Sequence, residues 1–210
     1  EIYTLSLHDA LPISVRKVIH DSGIGAEQIA AMAVDTTCCS VVALDKNGNP
    51  LRPALIWMDV RSAEQAEQMV ETKDEALRIN SNGNGPVSAE WMIPKALWIK
   101  QKEPELFKQA VTICEYQDYI NFHLTGHRTA SINNVSTRWH CDYSRDGIPE
   151  TLLEKLELDE LSEKWPEKVL RLGEVVGGLT PAAAEHLGLH ADLPVVQGGA
   201  DAQIGMIGLG

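Results

Sequence analysis

The run Pro194–Gly210, "PVVQGGADAQIGMIGLG", sets the architecture of this chain. Pro194 to Gln197 is a short apolar segment of the kind that forms a buried strand, a two-glycine turn follows, and Ala202-Gln203 is where a helix can start. One carboxylate, Asp201, therefore stands at a strand tip beside a helix N-terminus. There it can meet a substrate hydroxyl while exposed backbone amides attract an anionic phosphate. The same place suits a helix cap, and spacing alone favours the cap. Gly198, Gly199, Gly205, Gly208 and Gly210 permit tight turns and close approach of the backbone to a ligand. A dinucleotide-binding reading of "GMIGLG" fails, because its glycines do not follow the Gly-x-Gly-x-x-Gly order.

Upstream, the same alternation of strand and helix recurs. Val15 to Asp21 has helical apolar spacing, and Gly23 and Gly25 end it. Ile29–Val34 and Ser40–Leu44 read as strands, with Asn47-Gly48 as a hairpin turn after the second. "ALIW", Ala54 to Trp57, is a third strand-like run, and Ser62 with Gln65 forms a capping-box pattern that opens a surface helix reaching Lys73. "SNGNGP", Ser81 to Pro86, is a loop by composition. Ala89 to Lys100 is helical with Pro94 near its first turn, and Trp91, Leu97 and Trp98 are core candidates. Val111–Cys114 is a strand, and Tyr116–Leu124 is a helix ended by Gly126. "TASINNVSTRWH", Thr129 to His140, is short and polar and predicts a loop or irregular strand facing a cleft. Asp146-Gly147 turns the chain, Pro149 opens a helix through Leu156, and Thr180-Pro181 caps a helix that Gly188 closes. These elements predict one α/β domain with an open mixed sheet, cut short at its C-terminal edge, with ligands at the strand ends.

Composition limits the partners. The 210 residues carry a formal charge of −12, with Lys and Arg scattered rather than striped, which argues against a nucleic-acid surface. The four cysteines form neither a paired framework nor Cys-x-x-Cys spacing, which predicts a reducing, cytosolic compartment. No apolar run approaches the ~20 residues of a membrane span, and no signal peptide is visible. The seven histidines show no metal-ligand spacing, so no protein metal cage is assigned.

Two polar groups remain. In "LIWMDVRSAEQAE", strand alternation would turn Trp57, Asp59 and Arg61 to one side, where a ring face, a carboxylate and a guanidinium suit a polyhydroxylated ligand. The competing reading is a core tryptophan beside a surface ion pair. "VDTTCCS" sets Asp35, Thr36 and Thr37 at a strand end, either lining a cleft or forming a turn. Cys38 and Cys39 lack a neighbouring His or cation in the sequence, and small buried residues is the better reading. The first fourteen residues, "EIYTLSLHDALPIS", resemble translated sequencing-adapter DNA, which places the native start at Val15, against a native first helix or strand.

Taken together, "VDTTCCSVVALDKNGNPLRPALIWMDVRSAEQAE", "VSAEWMIPKALWIKQKEPELF", "QDYINFHLTGHRTAS", "GEVVGGLTPAAAEHLGL" and "PVVQGGADAQIGMIGLG" resemble, in collinear order from about Val15 to Gly210, the FGGY family of carbohydrate kinases, and most closely its ribulokinase-like members. The resemblance implies an actin-like, ribonuclease-H-like fold of two domains, with sugar held mainly by the first and ATP by the second. It implies transfer of the γ-phosphoryl group of Mg-ATP to a sugar hydroxyl, most simply the primary hydroxyl of a pentulose such as ribulose. By the same resemblance Asp201 matches the catalytic base, Trp57 the sugar-contacting tryptophan, and Asp59 and Arg61 its motif partners. Thr37 belongs to the substrate-side cluster, and Cys38 falls where ribulokinases have a small residue against the sugar. Arg138 falls where they have a lysine, a change in hydrogen-bond geometry that bears on which sugar is taken. Gln203 resembles a polar residue found there in part of the family.

Two departures shape the expectation. The acidic-x-Gly-Thr phosphate-binding hairpin that opens the family is missing, and so is the second domain with its adenosine pocket. Residues 15–210 then form a partial sugar-binding domain, truncated at both ends and without kinase activity of its own, whereas the intact parent uses ATP and Mg²⁺. The alternatives are a xylulose or glycerol kinase, a non-catalytic sugar-binding module, and an actin-like ATPase unrelated to sugars. A small-molecule sugar is the expected partner, with no nucleic acid and no membrane, and the resemblance leaves room for a homo-oligomer of the full-length parent.

Overall fold

The computed structural model describes residues 2–80, 86–144, 147–166 and 168–209. Helix α1 (Ile2–Ser22) leads through a short 3-10 turn into β1 (Met32–Thr36) and β2 (Val41–Leu44). Helix α2 (Ala63–Glu71), α3 (Met92–Lys102) and α4 (Pro104–Gln109) follow, then β3 (Thr112–Glu115), α5 (Tyr116–Thr125), β4 (Thr129–Ser131) and α6 (Ile132–Arg138). The last third holds α7 (Glu150–Lys155), α8 (Glu160–Glu163), β5 (Lys168–Leu170), β6 (Val175–Gly178), α9 (Pro181–Leu187), β7 (Pro194–Ala200) and α10 (Asp201–Leu209).

The central sheet has strand order β1-β7-β6 and is mixed, with β7 parallel to β1 and antiparallel to β6. β2 pairs with β3 antiparallel, and β4 with β5 parallel. Val34 pairs with Gln197 but Thr36 with Ala200, so β7 carries one extra residue across Gly198-Gly199. That bulge carries the chain straight into α10. The expected two-glycine turn is therefore a strand bulge, and the glycines serve close packing: a Cβ on Gly198 would lie 2.1 Å from the Val34 carbonyl oxygen, and one on Gly199 2.6 Å from Asn133 Oδ1.

Two apolar clusters support this frame. The larger packs β2, β3, α3 and α7 through residues such as Val41, Met92, Ile93, Leu97, Ile113, Trp139 and Leu152. The second gathers Val34, Leu124, Leu179, Leu187, Leu193 and Val195, with Leu11 and Val15 of α1 against it. Arg16 Nε donates to the His186 carbonyl at 3.0 Å, so α1 meets the end of α9, where carbonyls lack helical partners.

Local chemistry accounts for most boundaries. Thr180 Oγ1 accepts the Ala183 amide at 3.2 Å, Pro181 occupies the first turn of α9, and Gly188 closes it at φ 73°. Gly126 closes α5 at φ 78°. Pro94 is the third residue of α3, where a missing amide costs no helical hydrogen bond.

Four expectations need correction. Ser62 makes no capping box, because its hydroxyl donates to the Ala89 carbonyl at 2.6 Å while Gln65 Nε2 donates to Gln101 Oε1 at 2.7 Å. The capping groups are spent in tying α2 to the α3 segment. "ALIW" forms only the isolated bridge Val41↔Leu55. "TASINNVSTRWH" folds as β4 and α6, since a strand neighbour, β5, takes its first three residues and side-chain contacts to β7 hold the rest as a helix. β1 runs Met32–Thr36 rather than Ile29–Val34, and Asp35 and Thr36 are its last two residues. The "SNGNG" part of the composition-based loop and the Asp146 part of the later turn lie outside the described residues, while Gly147 has φ 79°.

Candidate functional site

At the C-terminal end of β7, Asp201 is exposed and is the first residue of α10. Its Oδ1 accepts the Ala202 amide at 2.7 Å. That bond reaches only the adjacent amide, not the second or third amide that a helix cap serves, so the carboxylate stays open.

The segment beneath Asp201 is anchored by buried amides and hydroxyls. Ala200 donates its amide to Asn133 Oδ1 at 2.9 Å, and Ser131 Oγ donates to the Gly198 carbonyl at 2.8 Å. Gln117 Nε2 donates to the carbonyls of Val34 and, at 3.1 Å, Gly199. Gln117 Oε1 accepts from Asn134 Nδ2 at 3.1 Å and from Gln197 Nε2 at 3.3 Å. Both donors and both acceptor positions of this amide are used, which removes the penalty of burying it. Gln197 Oε1 in turn accepts Thr129 Oγ1 at 3.3 Å. Helices α5 and α6 thereby hold the ends of β1 and β7 in a fixed relation.

Cys38, Arg138 and Asp201 come together above this layer. Cys38, partly buried, is acted on by the positive charge of the Arg138 guanidinium and, with opposite sign, by the Asp201 carboxylate. The Cys39 thiol contacts Cys38 Sγ at 3.7 Å. That contact, with Arg138 adding to it, draws the Cys38 thiol well below its ordinary value, while the same contact, burial and Glu115 push Cys39 up. Arg138 also stacks on Trp91, 5.0 Å from the ring centroid, and Trp91 lies 5.4 Å from the buried His140 ring.

A second tether joins the Cys38–Cys39 loop to the Trp57 loop. Lys95, fully buried, donates from Nζ to the carbonyls of Cys39 at 2.6 Å, Ile56 at 2.7 Å and Trp57 at 3.5 Å. Burial lowers its pKa, while Asp59 and Glu115 nearby favour its charge. On the opposite side, Glu115 Oε2 accepts the Cys39 amide at 3.0 Å and its Oε1 accepts Trp139 Nε1 at 3.3 Å. Burial first, and the Asp118 carboxyl second, push Glu115 well above the usual carboxylate range.

Trp57 is 45% exposed, and its amide donates to Ser40 Oγ at 3.1 Å. The premise that Trp57, Asp59 and Arg61 alternate along a strand is overturned, because 57–62 is a succession of turns. Arg61 Nη2 lies 2.9 Å from Asp59 Oδ2 and the guanidinium stacks 5.0 Å from the Trp98 ring, so this pair first satisfies itself. The indole of Trp57 is left facing solvent. Thr37 is exposed at the end of β1. Gln203 is partly buried in the first turn of α10, and its Oε1 is buried without a hydrogen-bond partner.

Sequence reasoning missed Lys95, Glu115, Gln117 and Asn133. Nothing in the sequence sets Lys95 or Glu115 apart from the other charged residues, and only Gln117 and Asn121 leave a trace, four apart on the same face of α5. No group of three His, Cys, Asp or Glu side chains able to hold a metal ion occurs among the described residues. No helix among them is long and apolar enough to cross a membrane.

Comparison with known proteins places this geometry. The profile of the FGGY family of carbohydrate kinases, N-terminal domain, matches residues 6–208. A ribulokinase from Shouchella clausii is 29% identical over 93% of this chain and 38% of its own length. An autoinducer-2 kinase from Klebsiella pneumoniae is 31% identical over 93% of this chain and 36% of its own. The solved ligand-bound xylulose kinase from Lactobacillus acidophilus superposes with a TM-score of 0.75 at 21% identity, covering 96% of this chain and 41% of that one. The chain thus spans less than two fifths of the length of these two curated relatives. The mixed sheet shared with these structures is the actin-like, ribonuclease-H-like fold. The match over residues 6–208 shows that the chain belongs to the FGGY family of carbohydrate kinases.

Proposed function

We propose that this chain is the sugar-binding part of a kinase that transfers the γ-phosphoryl group of ATP to the primary hydroxyl of a pentulose such as ribulose. The observation that carries the reading is the open Asp201 carboxylate at the end of an anchored strand, near enough to Cys38 to act on it as Arg138 does with opposite sign. In this reading the attacking hydroxyl donates its proton to Asp201, and the nearby N-terminus of α10 favours the incoming phosphate. Phosphoryl transfer asks the protein mainly for positioning and charge stabilisation, and Mg²⁺ bound with ATP supplies the latter. The exposed indole of Trp57 covers a C–H face of the sugar. Asp59, Arg61, Thr37, Arg138 and Gln203 offer hydroxyl contacts, and Cys38 bounds the site.

The test separates sugar binding from turnover. Isothermal titration of the purified chain with ribulose, xylulose and glycerol is expected to give its strongest binding with ribulose. In the complete protein, Asp201→Asn is expected to keep the sugar affinity and lose at least a hundredfold in kcat, as for removal of a general base. Equal turnover by that variant would overturn the role of Asp201. The chain by itself is expected to release no sugar-dependent ADP, and its detection would overturn that part of the proposal.

A further inference from the structure

Cys38 and Cys39 are adjacent in sequence and also in contact, with Sγ atoms 3.7 Å apart. The contact is imposed by the fold. Cys39 has φ 70°, a left-handed conformation that a side chain enters only when its surroundings hold it there. Glu115 accepts its amide and Lys95 donates to its carbonyl, so the backbone is gripped on both sides. Cys38 is the accessible member, and Arg138, far from it in the sequence, supplies the cation that its sequence neighbourhood lacks. Cys114 and Cys141 are buried, with burial pushing both thiols up, and they serve as internal references.

We propose that Cys38 and Cys39 form a thiol redox couple in which Cys38 reacts with a hydroperoxide and Cys39 resolves the product to a vicinal disulfide. In the first step the Cys38 thiolate attacks the peroxide, forming an S–O bond as the O–O bond breaks, and the released oxygen leaves as water or alcohol after taking up a proton. In the second, Cys39 sulfur displaces the hydroxyl of the Cys38 sulfenic acid, the S–O bond breaks, and the thiol proton leaves with that hydroxyl as water. The two cysteines lose two electrons and the peroxide gains them. A dithiol reverses the bond by exchange. The consequence rests on the sugar-site reading: the disulfide withdraws Cys38 from Arg138 and redraws the wall beside Asp201, so sugar binding weakens.

The purified 210-residue chain is treated with hydrogen peroxide, and peptides are mapped after alkylation. The expected product is a peptide holding both Cys38 and Cys39 that is lighter by two hydrogens, is not alkylated, and is restored by dithiothreitol. In the untreated chain, iodoacetamide is expected to label Cys38 at least tenfold faster than Cys114 or Cys141. Cys39→Ser is expected to stop at a Cys38 sulfenic acid that dimedone traps, and the labelling rates decide the matter if that variant does not fold. Equal labelling of the four cysteines, or two free thiols at 38 and 39 after peroxide, would overturn the couple. Ribulose titration separates the readings. A reduced chain that binds no ribulose fails the sugar site while the mass shift still decides the couple, and an oxidised chain that binds ribulose as the reduced one does overturns the regulatory consequence alone.

Discussion

Asn133 and Ala200 are joined by one hydrogen bond, with Asn133 Oδ1 accepting the Ala200 amide at 2.9 Å, and this bond fixes the residue directly before Asp201. Ala200 is 2% exposed, so its amide has no water to fall back on. Asn133→Ala is expected to lower stability by about 1–3 kcal/mol, the cost of a buried donor left unpaired. Asn133→Asp keeps the acceptor and is expected to lose much less. Urea unfolding with hydrogen exchange at the Ala200 amide checks both, and unchanged exchange in the alanine variant would show that the tether is idle.

The glycines around Asp201 divide into two kinds with opposite expected effects. A methyl group at Gly198 would overlap the Val34 carbonyl oxygen at 2.1 Å and its carbon at 2.9 Å, both backbone atoms of the neighbouring strand. Gly198→Ala is expected to cost on the order of 3 kcal/mol or more through overpacking and strand displacement. Gly205 lies within α10 with nothing inside 4 Å of a built Cβ. Gly205→Ala is expected to stabilise by up to about 1 kcal/mol through helix propensity. Thermal unfolding of the two variants should shift in opposite directions.

What could be read from the sequence was what depends on local chemistry. Thr180-Pro181 and Gly188 bound α9, Gly126 ends α5, and the apolar run at Pro194 is a strand, because each signal acts within a few residues. Failures came where a partner distant in sequence competes for the same group. Ser62 has the chemistry of a cap but spends its hydroxyl on Ala89, and the polar run from Ile132 to Arg138 becomes a helix tied to β7 by the Ala200 amide, which donates to Asn133. The site followed the same rule. Motif order singled out Asp201 and Trp57, both of them exposed, while Lys95, which gathers three carbonyls from two loops, has no local signature at all.

Lys95→Met tests that gathering role. Methionine nearly preserves the volume but leaves the Cys39 carbonyl without its ammonium donor and the Ile56 carbonyl with the Asp59 amide alone. Hydrogen bonds to a charged group contribute more than neutral ones, so a loss on the order of 3 kcal/mol is expected. The Trp57 loop should loosen with it, since its backbone shares the same ammonium. Chemical denaturation measures the first effect. Faster amide exchange at 57–61 measures the second, and a variant as stable and as protected as the parent would remove Lys95 from its place in the site.

Asp118 gives the fold a pH dependence of definite sign. Its carboxyl is buried, and burial pushes it up to about 8 from an ordinary 3.8, against the lowering pull of the Glu115 amide that it accepts and of the Ser131 amide nearby. Below pH 3.8 the group is protonated whether the chain is folded or not, and its contribution to stability is fully present. Between there and about 8 the folded chain keeps a proton that the unfolded chain has released, so stability falls as pH rises, by up to about 1.4 kcal/mol per pH unit. Above that range the loss is complete. Asp118→Asn retains an acceptor for the Glu115 amide, now bound at 3.0 Å, and carries no titrating proton. The variant is therefore expected to gain on the parent as pH rises from 5 to 8, with a flatter profile of unfolding free energy. Buried Glu115, also held well above its usual range, leaves a residual slope of the same sign. Urea unfolding at pH 5, 6, 7 and 8 for both proteins decides it: parallel profiles would assign the dependence to another group.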